Sequence, residues 1–198
     1  MMPNWCDTTY KIVGDKKDIK TIHNALKYID KRKTTILKNG FGRWWLGNLI
    51  HTLGGDWKNF RCRGEIIGQE LESPEILTIW QNTAWCEQEG VRQFLEAKFP
   101  SVKVYWKDEE PGCGNYTTND ASGDYFPERY ILDYTDGLEY FNSLEAAAEF
   151  VKDLTGKDVK TEEDIEVALN EQEEKEMEND DDAFYSFNKF KVLEEDVP

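Results

Sequence analysis

The order of strand-like and helix-like segments in the N-terminal half is what most constrains how this chain can fold. The opening stretch NWCDTTYKIVG (residues 4–14) is rich in β-forming residues, and its alternation places Cys6 and Ile12 on one face and Trp5 on the other. In residues 15–33, isoleucine and leucine recur at three- and four-residue steps, which predicts an amphipathic helix. The fold therefore opens with a strand followed by a helix.

Two strands, a second helix and a further strand are predicted next. FRCRGEIIGQEL and EILTIWQNTAW are joined by ESPE, EQEGVRQFLEAKF carries apolar residues at helical spacing, and PSVKVYWKDEE alternates. The order β-α-β-β-α-β is the signature of a ferredoxin-like sandwich, in which one antiparallel sheet carries two helices on one face. The predicted class is α+β, with this core extended by an insertion, added β-hairpins and C-terminal helices.

The domain organisation follows from where that pattern is interrupted. We predict a ferredoxin-like domain over residues 1–141, with a glycine-rich helical insertion at 35–58 and a hairpin extension at 113–141 that adds strands to the sheet. Acidic C-terminal helices are predicted for 142–182, and 183–198 form an aromatic tail. The tail either folds back on the body or docks to another chain. The residues predicted for docking are Phe184, Tyr185, Phe187 and Phe190.

The charge of the chain is unevenly distributed. Its net charge is −16, but residues 1–160 carry 21 positive and 25 negative side chains, whereas residues 161–198 carry 3 and 15. Neither part has the basic stripe that attracts a phosphate backbone, so we expect no direct nucleic-acid binding. The sequence shows no signal-peptide pattern and no apolar run of membrane-spanning length, which predicts a cytoplasmic protein that does not contact a membrane.

The residues that usually carry chemistry form no recognised motif. The four cysteines and two histidines lack the spacing of a zinc site or an iron–sulfur cluster, so no metal and no cofactor are predicted. The nucleophile-elbow, phosphate-loop and dinucleotide-binding patterns are absent, so no catalytic residue is predicted and an enzyme is not favoured. Cys6, on a face with apolar residues, is expected to be a reduced, buried thiol.

The densest polar stretch runs from Asp108 to Arg129. It suggests an alternative function, a small metal-dependent hydrolase or nucleotide-acting enzyme that would use Glu109, Glu110, Asn119 and Asp120. However, adjacent carboxylates on a strand point to opposite faces, and no calcium-loop pattern is present. We therefore favour a solvated loop of turn-forming asparagine and aspartate.

A second group of residues predicts a recognition patch. Arg61, Arg63 and Arg129 are the strongest candidates for facing an anion, and Arg61 and Arg63 share a face of the predicted strand because they lie two apart. With Trp57 and Tyr125 they would form a binding patch, since arginine and aromatic residues are enriched at interface hot spots. The alternative is that these arginines form salt bridges with Glu109, Glu110 and Asp120.

Several short phrases, taken together, resemble one family. They are MPNWC, GGDW followed by CRGEI, TAW before a helix, FPSVKVYW, and EEPGCG with YTTND, and they span roughly Met2 to Asp133. This set resembles the YubB-like family, whose members are encoded on bacterial plasmids, phages and related mobile elements and are described as having a ferredoxin-like domain. The resemblance implies a fold and a genomic context, and it implies no reaction. The predicted function is that of a mobile-element accessory protein, a non-enzymatic module that binds an unidentified protein partner.

Overall fold

The structure is a computed structural model, and it describes residues 4–177 and 182–193 of the chain. Contacts divide the chain into two compact units. Unit 1 contains the described residues 4–120 and 193, and unit 2 contains 121–177 and 182–192. None of the helices in these described residues has the length and hydropathy needed to cross a membrane.

Unit 1 contains the predicted order of elements, and the α+β class is confirmed. Its strands and helices are β1 (Trp5–Val13), α1 (Lys16–Asp30), α2 (Leu46–Thr52), β2 (Gly64–Ser73), β3 (Ile76–Ala84), α3 (Glu89–Lys98), β4 (Lys103–Glu110) and β5 (Asn115–Thr118). The strands lie in the order β2-β3-β1-β4-β5, and each pair of neighbours is antiparallel. The first strand therefore lies in the middle of the sheet, between β3 and β4.

The core of unit 1 forms on the sheet face that the alternation of β1 selects. Cys6, Tyr10 and Ile12 are buried, whereas Trp5 on the opposite face is 46% exposed. Helix α1 buries its isoleucine and leucine stripe in the same hydrophobic cluster. The predicted burial of the Cys6 thiol is confirmed.

The predicted insertion, residues 35–58, contains α2 and two short 3-10 turns, Gly42–Trp44 and Trp57–Asn59. Helix α2 buries Leu46, Leu49 and Ile50 against the core, because its apolar stripe recurs at helical spacing. The polar remainder of the insertion lies at the surface, where it forms loops around the aromatic side chains described below.

Unit 2 contains the remaining elements of the described chain: β6 (Tyr130–Tyr134), β7 (Gly137–Phe141), α4 (Leu144–Thr155), α5 (Glu162–Met177), β8 (Tyr185–Lys189) and the two-residue β9 (Lys191–Val192). The expectation that the predicted hairpins all extend the first sheet is wrong for β6 and β7. They form a separate three-stranded sheet in the order β7-β6-β8. This pairing also explains why the observed division follows Asp120 rather than the predicted residue 141.

The aromatic tail lies largely within unit 2. Tyr185 and Phe187 belong to β8, and their rings stack on Tyr134 and Tyr130 with ring centroids 5.8 and 5.5 Å apart. Phe190 is buried, and Phe184 is 42% exposed. Tyr185 and Phe187 thus pack within unit 2, and docking of these two rings to another chain would require them to leave their contacts there. Residues 194–198 of the predicted tail lie outside the described residues.

Candidate functional site

A pocket of about 480 Å³ opens in unit 1 where the insertion meets the segment that leads into β2. We call it the basic–aromatic pocket, and its lining residues are Lys38, Asn39, Gly40, Phe41, Trp45, Trp57, Lys58, Phe60, Arg61, Cys62 and Arg63. Four of these side chains are cationic, four are aromatic and none is a carboxylate. This composition is unusual in a chain whose net charge is −16.

The loop on one side of the pocket is held by two asparagines. The Asn39 side-chain oxygen accepts hydrogen bonds from the backbone N–H groups of Phe41 (2.6 Å) and Gly42 (2.8 Å). The buried Asn48 amide donates to the Arg43 carbonyl (2.9 Å) and accepts from Leu37 N–H (3.1 Å). These side-chain hydrogen bonds to the backbone fix the shape of a loop that has no regular secondary structure. Lys38 and Phe41 lie on this loop.

Two tryptophans form the inner wall of the pocket. Trp45 is buried, and its indole N–H donates to the Cys62 carbonyl (2.9 Å). Trp57 packs edge-on against it, with the ring centroids 4.8 Å apart and the planes at 72°. This geometry is the favoured arrangement for an aromatic pair. Trp57 remains half-buried, so part of its ring faces the pocket.

The arginine wall is the extended segment just before β2. Arg61 and Arg63 are exposed and Cys62 between them is buried, so the predicted alternation holds although β2 itself begins only at Gly64. The segment packs closely on the start of α3, since a Cβ at Gly90 would lie 2.4 Å from the Arg61 nitrogen. A larger residue than glycine at position 90 would push this wall outwards.

The buried Gln88 fixes the second half of that wall. Its side-chain oxygen accepts from the Arg63 backbone N–H (2.8 Å), and its amide nitrogen donates to the carbonyls of Cys86 (3.0 Å) and Ala84 (3.3 Å). Gln88 thereby ties the loop between β3 and α3 to the arginine segment. The backbone of the pocket wall is positioned by groups that are themselves buried and hydrogen-bonded.

The four cations of the pocket have no acidic partner within the described part of the chain. Across that part, none of Lys38, Lys58, Arg61 and Arg63 makes an ion pair. The Arg61 guanidinium lies 3.8 Å from the Cys86 sulfur, and that of Arg63 lies over the Trp85 ring at 4.8 Å. The alternative prediction, that Arg61 and Arg63 form salt bridges with acidic residues after position 108, is therefore not realised in the structure.

The other residues of the predicted site do not join the pocket. Glu109 pairs with Lys107 (2.9 Å), and Glu110 and Asp120 are buried. Asn119 accepts from Trp106 N–H (2.7 Å) and donates to the Val104 carbonyl (3.0 Å), both on β4. Tyr125 and Arg129 belong to unit 2, where the Arg129 guanidinium donates to the Phe126 carbonyl (2.7 Å).

The interpretation of residues 108–129 as a solvated loop is wrong at its start. Asp108 is fully buried on β4, where Oδ1 accepts from the Thr8 hydroxyl (2.6 Å) and the other oxygen from the Glu87 backbone N–H. Among residues 4–177 and 182–193, no three His, Cys, Asp or Glu side chains are grouped as metal ligands.

A second acidic group lies beside Asp108. Glu87 is 6% exposed, and its carboxylate accepts from the Tyr10 hydroxyl and from Arg92 Nε (3.3 Å). Burial raises the pKa of Glu87 from 4.5 to about 7 and that of Asp108 from 3.8 to about 6. Both carboxylates are buried; Glu87 belongs to the loop from β3 to α3 and Asp108 accepts from the backbone of that loop, so they hold it in place.

Sequence reasoning found Trp57, Arg61 and Arg63 and missed the rest of the pocket. The signal was present in two stretches that mix lysine and arginine with aromatic residues: KNGFGRWW (residues 38–45) within the insertion, and WKNFRCR (residues 57–63), which runs from its end towards β2. Neither stretch has a periodicity that would have placed its side chains on one surface.

Comparison with protein-family models, with curated proteins and with solved structures found no match to this chain.

Proposed function

We propose that the protein is a non-enzymatic protein-binding module and that the basic–aromatic pocket receives an acidic segment of its partner. The observation that carries this proposal is one pocket of unit 1 that gathers four aromatic rings and four cations, none of which forms an ion pair with another described residue. Charges left without counter-ions are available to a ligand, and arginine with tryptophan is the composition of interface hot spots.

The charge of the rest of the chain favours a protein partner over a nucleic acid. A duplex or single strand presents an extended row of phosphates, which needs a basic surface longer than one pocket. Residues 1–120 carry 17 positive and 16 negative side chains, and residues 161–198 are strongly acidic. A short acidic segment could pair with the four cations of the pocket alone, whereas a long nucleic acid would also be repelled by the acidic side chains of the rest of the chain.

The fold and the biological context are part of the same proposal. The order β-α-β-β-α-β with the sheet order β2-β3-β1-β4 supports a ferredoxin-like assignment for unit 1. The phrases that resemble the YubB-like family support an accessory role on a plasmid, phage or related element.

The proposal is tested by selecting peptides from a displayed library of random dodecamers on the purified protein. We expect enrichment of sequences with several aspartates or glutamates next to an aromatic or aliphatic residue. The variant Lys58→Glu/Arg61→Glu should lose these peptides. The matched control Lys17→Glu/Lys20→Glu makes the same change of charge at exposed positions on α1 and should retain them.

Two results would overturn the proposal. One is enrichment of neutral or basic peptides, or of none. The other is equal binding of the selected peptides by the Lys58→Glu/Arg61→Glu variant, with a melting temperature that shows the variant to be folded.

A further inference from the structure

Arg63 presents a guanidinium whose hydrogen-bonding edge is unused. Its guanidinium carbon lies over the Trp85 ring, 4.8 Å from the ring centroid. Within the described residues the Arg63 guanidinium has no hydrogen-bond acceptor. The bonded groups of Arg63 belong to its backbone: the N–H donates to Gln88, and the carbonyl accepts from the Ala84 N–H. A cation–π contact does not use the N–H groups of a guanidinium as hydrogen-bond donors, so they remain available to an acceptor. The contact with Trp85 therefore orients the Arg63 guanidinium and leaves its N–H groups available as hydrogen-bond donors.

Trp85 adopts a backbone conformation that is unfavourable for its side chain. Its φ is +68°, and it is the one non-glycine residue with positive φ among those described. Left-handed backbone is adopted mainly by glycine, asparagine and aspartate, and a bulky residue there is strained. Trp85 is 44% exposed, so burial in the core does not account for the presence of tryptophan at this position. Strained residues of this kind cluster at binding and catalytic sites.

The surrounding backbone holds Trp85 in this conformation. Its N–H donates to the Asn4 carbonyl (2.9 Å), and the preceding Ala84 N–H donates to the Arg63 carbonyl (3.0 Å). On the other side, the Glu87 N–H is held by the buried Asp108 carboxylate. Arg63 and Trp85 therefore lie on backbone segments that are hydrogen-bonded to each other.

The aromatic surface continues from Trp85 to the pocket. Trp5, 46% exposed, lies on the neighbouring strand, where its backbone pairs with Ala84. Its ring packs edge-on against Phe41 of the pocket wall, with the centroids 6.0 Å apart. An apolar side chain next to an acidic one on the same bound segment would find this exposed surface beside Arg63.

We propose that Arg63 is the carboxylate receptor of the site, that Trp85 is the positioning residue that orients it, and that the partner presents an aspartate or glutamate flanked by an apolar side chain. This inference rests on the proposed function and names the feature that the pocket recognises. A planar guanidinium binds a carboxylate through two parallel N–H···O bonds, which a lysine ammonium cannot reproduce.

The test measures the affinity of the library-selected peptides for three variants. Arg63→Lys keeps the charge and should weaken binding roughly tenfold, because the bidentate geometry is lost. Trp85→Asn suits left-handed backbone, keeps Tm within a few degrees of wild type and should weaken binding by about fivefold or more. Trp85→Phe keeps a ring under Arg63 and should restore affinity to within about threefold of wild type.

The outcomes separate this inference from the proposed function. If Lys58→Glu/Arg61→Glu abolishes binding but Arg63→Lys and Trp85→Asn bind as wild type, the inference is wrong and the proposed function stands. If Trp85→Asn lowers Tm strongly and the folded fraction binds normally, Trp85 is structural and the positioning role is refuted. If the library yields no acidic peptides, both proposals fail together.

Discussion

At the residue scale, the environment of the Cys6 thiol makes it unreactive. It is fully buried on β1, and burial together with the nearby Asp108 charge raises its pKa far above the ordinary value. A thiol that stays protonated and sealed from solvent is a poor nucleophile. Cys113, in contrast, is exposed on a turn.

We expect maleimide to label Cys6 much more slowly in the native protein than in urea, and Cys113 to be labelled quickly in both states. Mass spectrometry of digested protein resolves the two sites, and Cys113 serves as the internal control. A native labelling rate for Cys6 equal to its unfolded rate would contradict the burial described here. Cys6→Ser should cost little, about 1 kcal/mol, because Asp108 and Thr8 lie close enough to bond the hydroxyl.

The buried pair Glu87 and Asp108 predicts an unusual dependence of stability on pH. Both carboxyls have pKa values raised by burial, to about 7 and about 6, so the folded state binds protons more tightly than the unfolded state. These groups therefore stabilise unit 1 below about pH 4, and that contribution is lost as pH rises through 6 to 7. Each shift corresponds to roughly 3 kcal/mol as an order of magnitude.

The variant Glu87→Gln removes one titrating group and keeps an acceptor for the Tyr10 hydroxyl. We expect its unfolding free energy to depend less steeply on pH between 5 and 8 than that of wild type. The signal is tryptophan fluorescence in urea, which reports unit 1 alone because all seven tryptophans lie in residues 1–120. Parallel pH profiles for the two proteins would show that Glu87 does not titrate in this range.

At the scale of elements, β8 is the strand of unit 2 that the sequence did not predict, because the tail could either fold back on the body or dock to another chain. It pairs with β6 in the register Ile131 to Asn188, Leu132 to Phe187 and Asp133 to Ser186. Removing it would leave the β6 edge without these backbone partners and expose the buried Leu132.

Deletion of residues 184–198 should therefore accelerate amide hydrogen exchange in β6, at Ile131 to Asp133, by at least about tenfold. Deletion of 194–198 alone is the control, because it leaves β8 intact. If exchange in β6 is the same in both truncated proteins, the pairing of β6 with β8 does not persist in solution.

The elements show which parts of the fold the sequence could specify. Regular alternation in β1 and β4 and helical spacing in α1 and α3 depend on local burial, so these elements were predicted close to their observed bounds. The partner of β6 depends on contacts with Tyr185 and Phe187, more than fifty residues later, which no local pattern encodes. For the same reason the separate sheet of unit 2 was missed.

At the scale of the whole molecule, the pocket too depends on residues that are distant in sequence, which no local pattern predicts. Trp57, Arg61 and Arg63 were predicted because they lie close together in sequence, whereas Lys38 and Phe41 join them through a loop shaped by Asn39 and Asn48. The strain at Trp85 could not be predicted, because tryptophan is not a residue type that indicates left-handed backbone. The net charge of the chain, −16, also gave no indication of a cationic pocket.

The central claim is that an acidic partner segment binds at the basic–aromatic pocket, and the indole N–H signals of the seven tryptophans test it most directly. Titration with a library-selected acidic peptide should shift the NMR signals of Trp57, Trp85 and Trp5, which line or adjoin the pocket. Trp80, 37% exposed but absent from the pocket lining, is the matched control and should stay unchanged. Shifts at Trp80 without shifts at Trp57 and Trp85 would contradict the account.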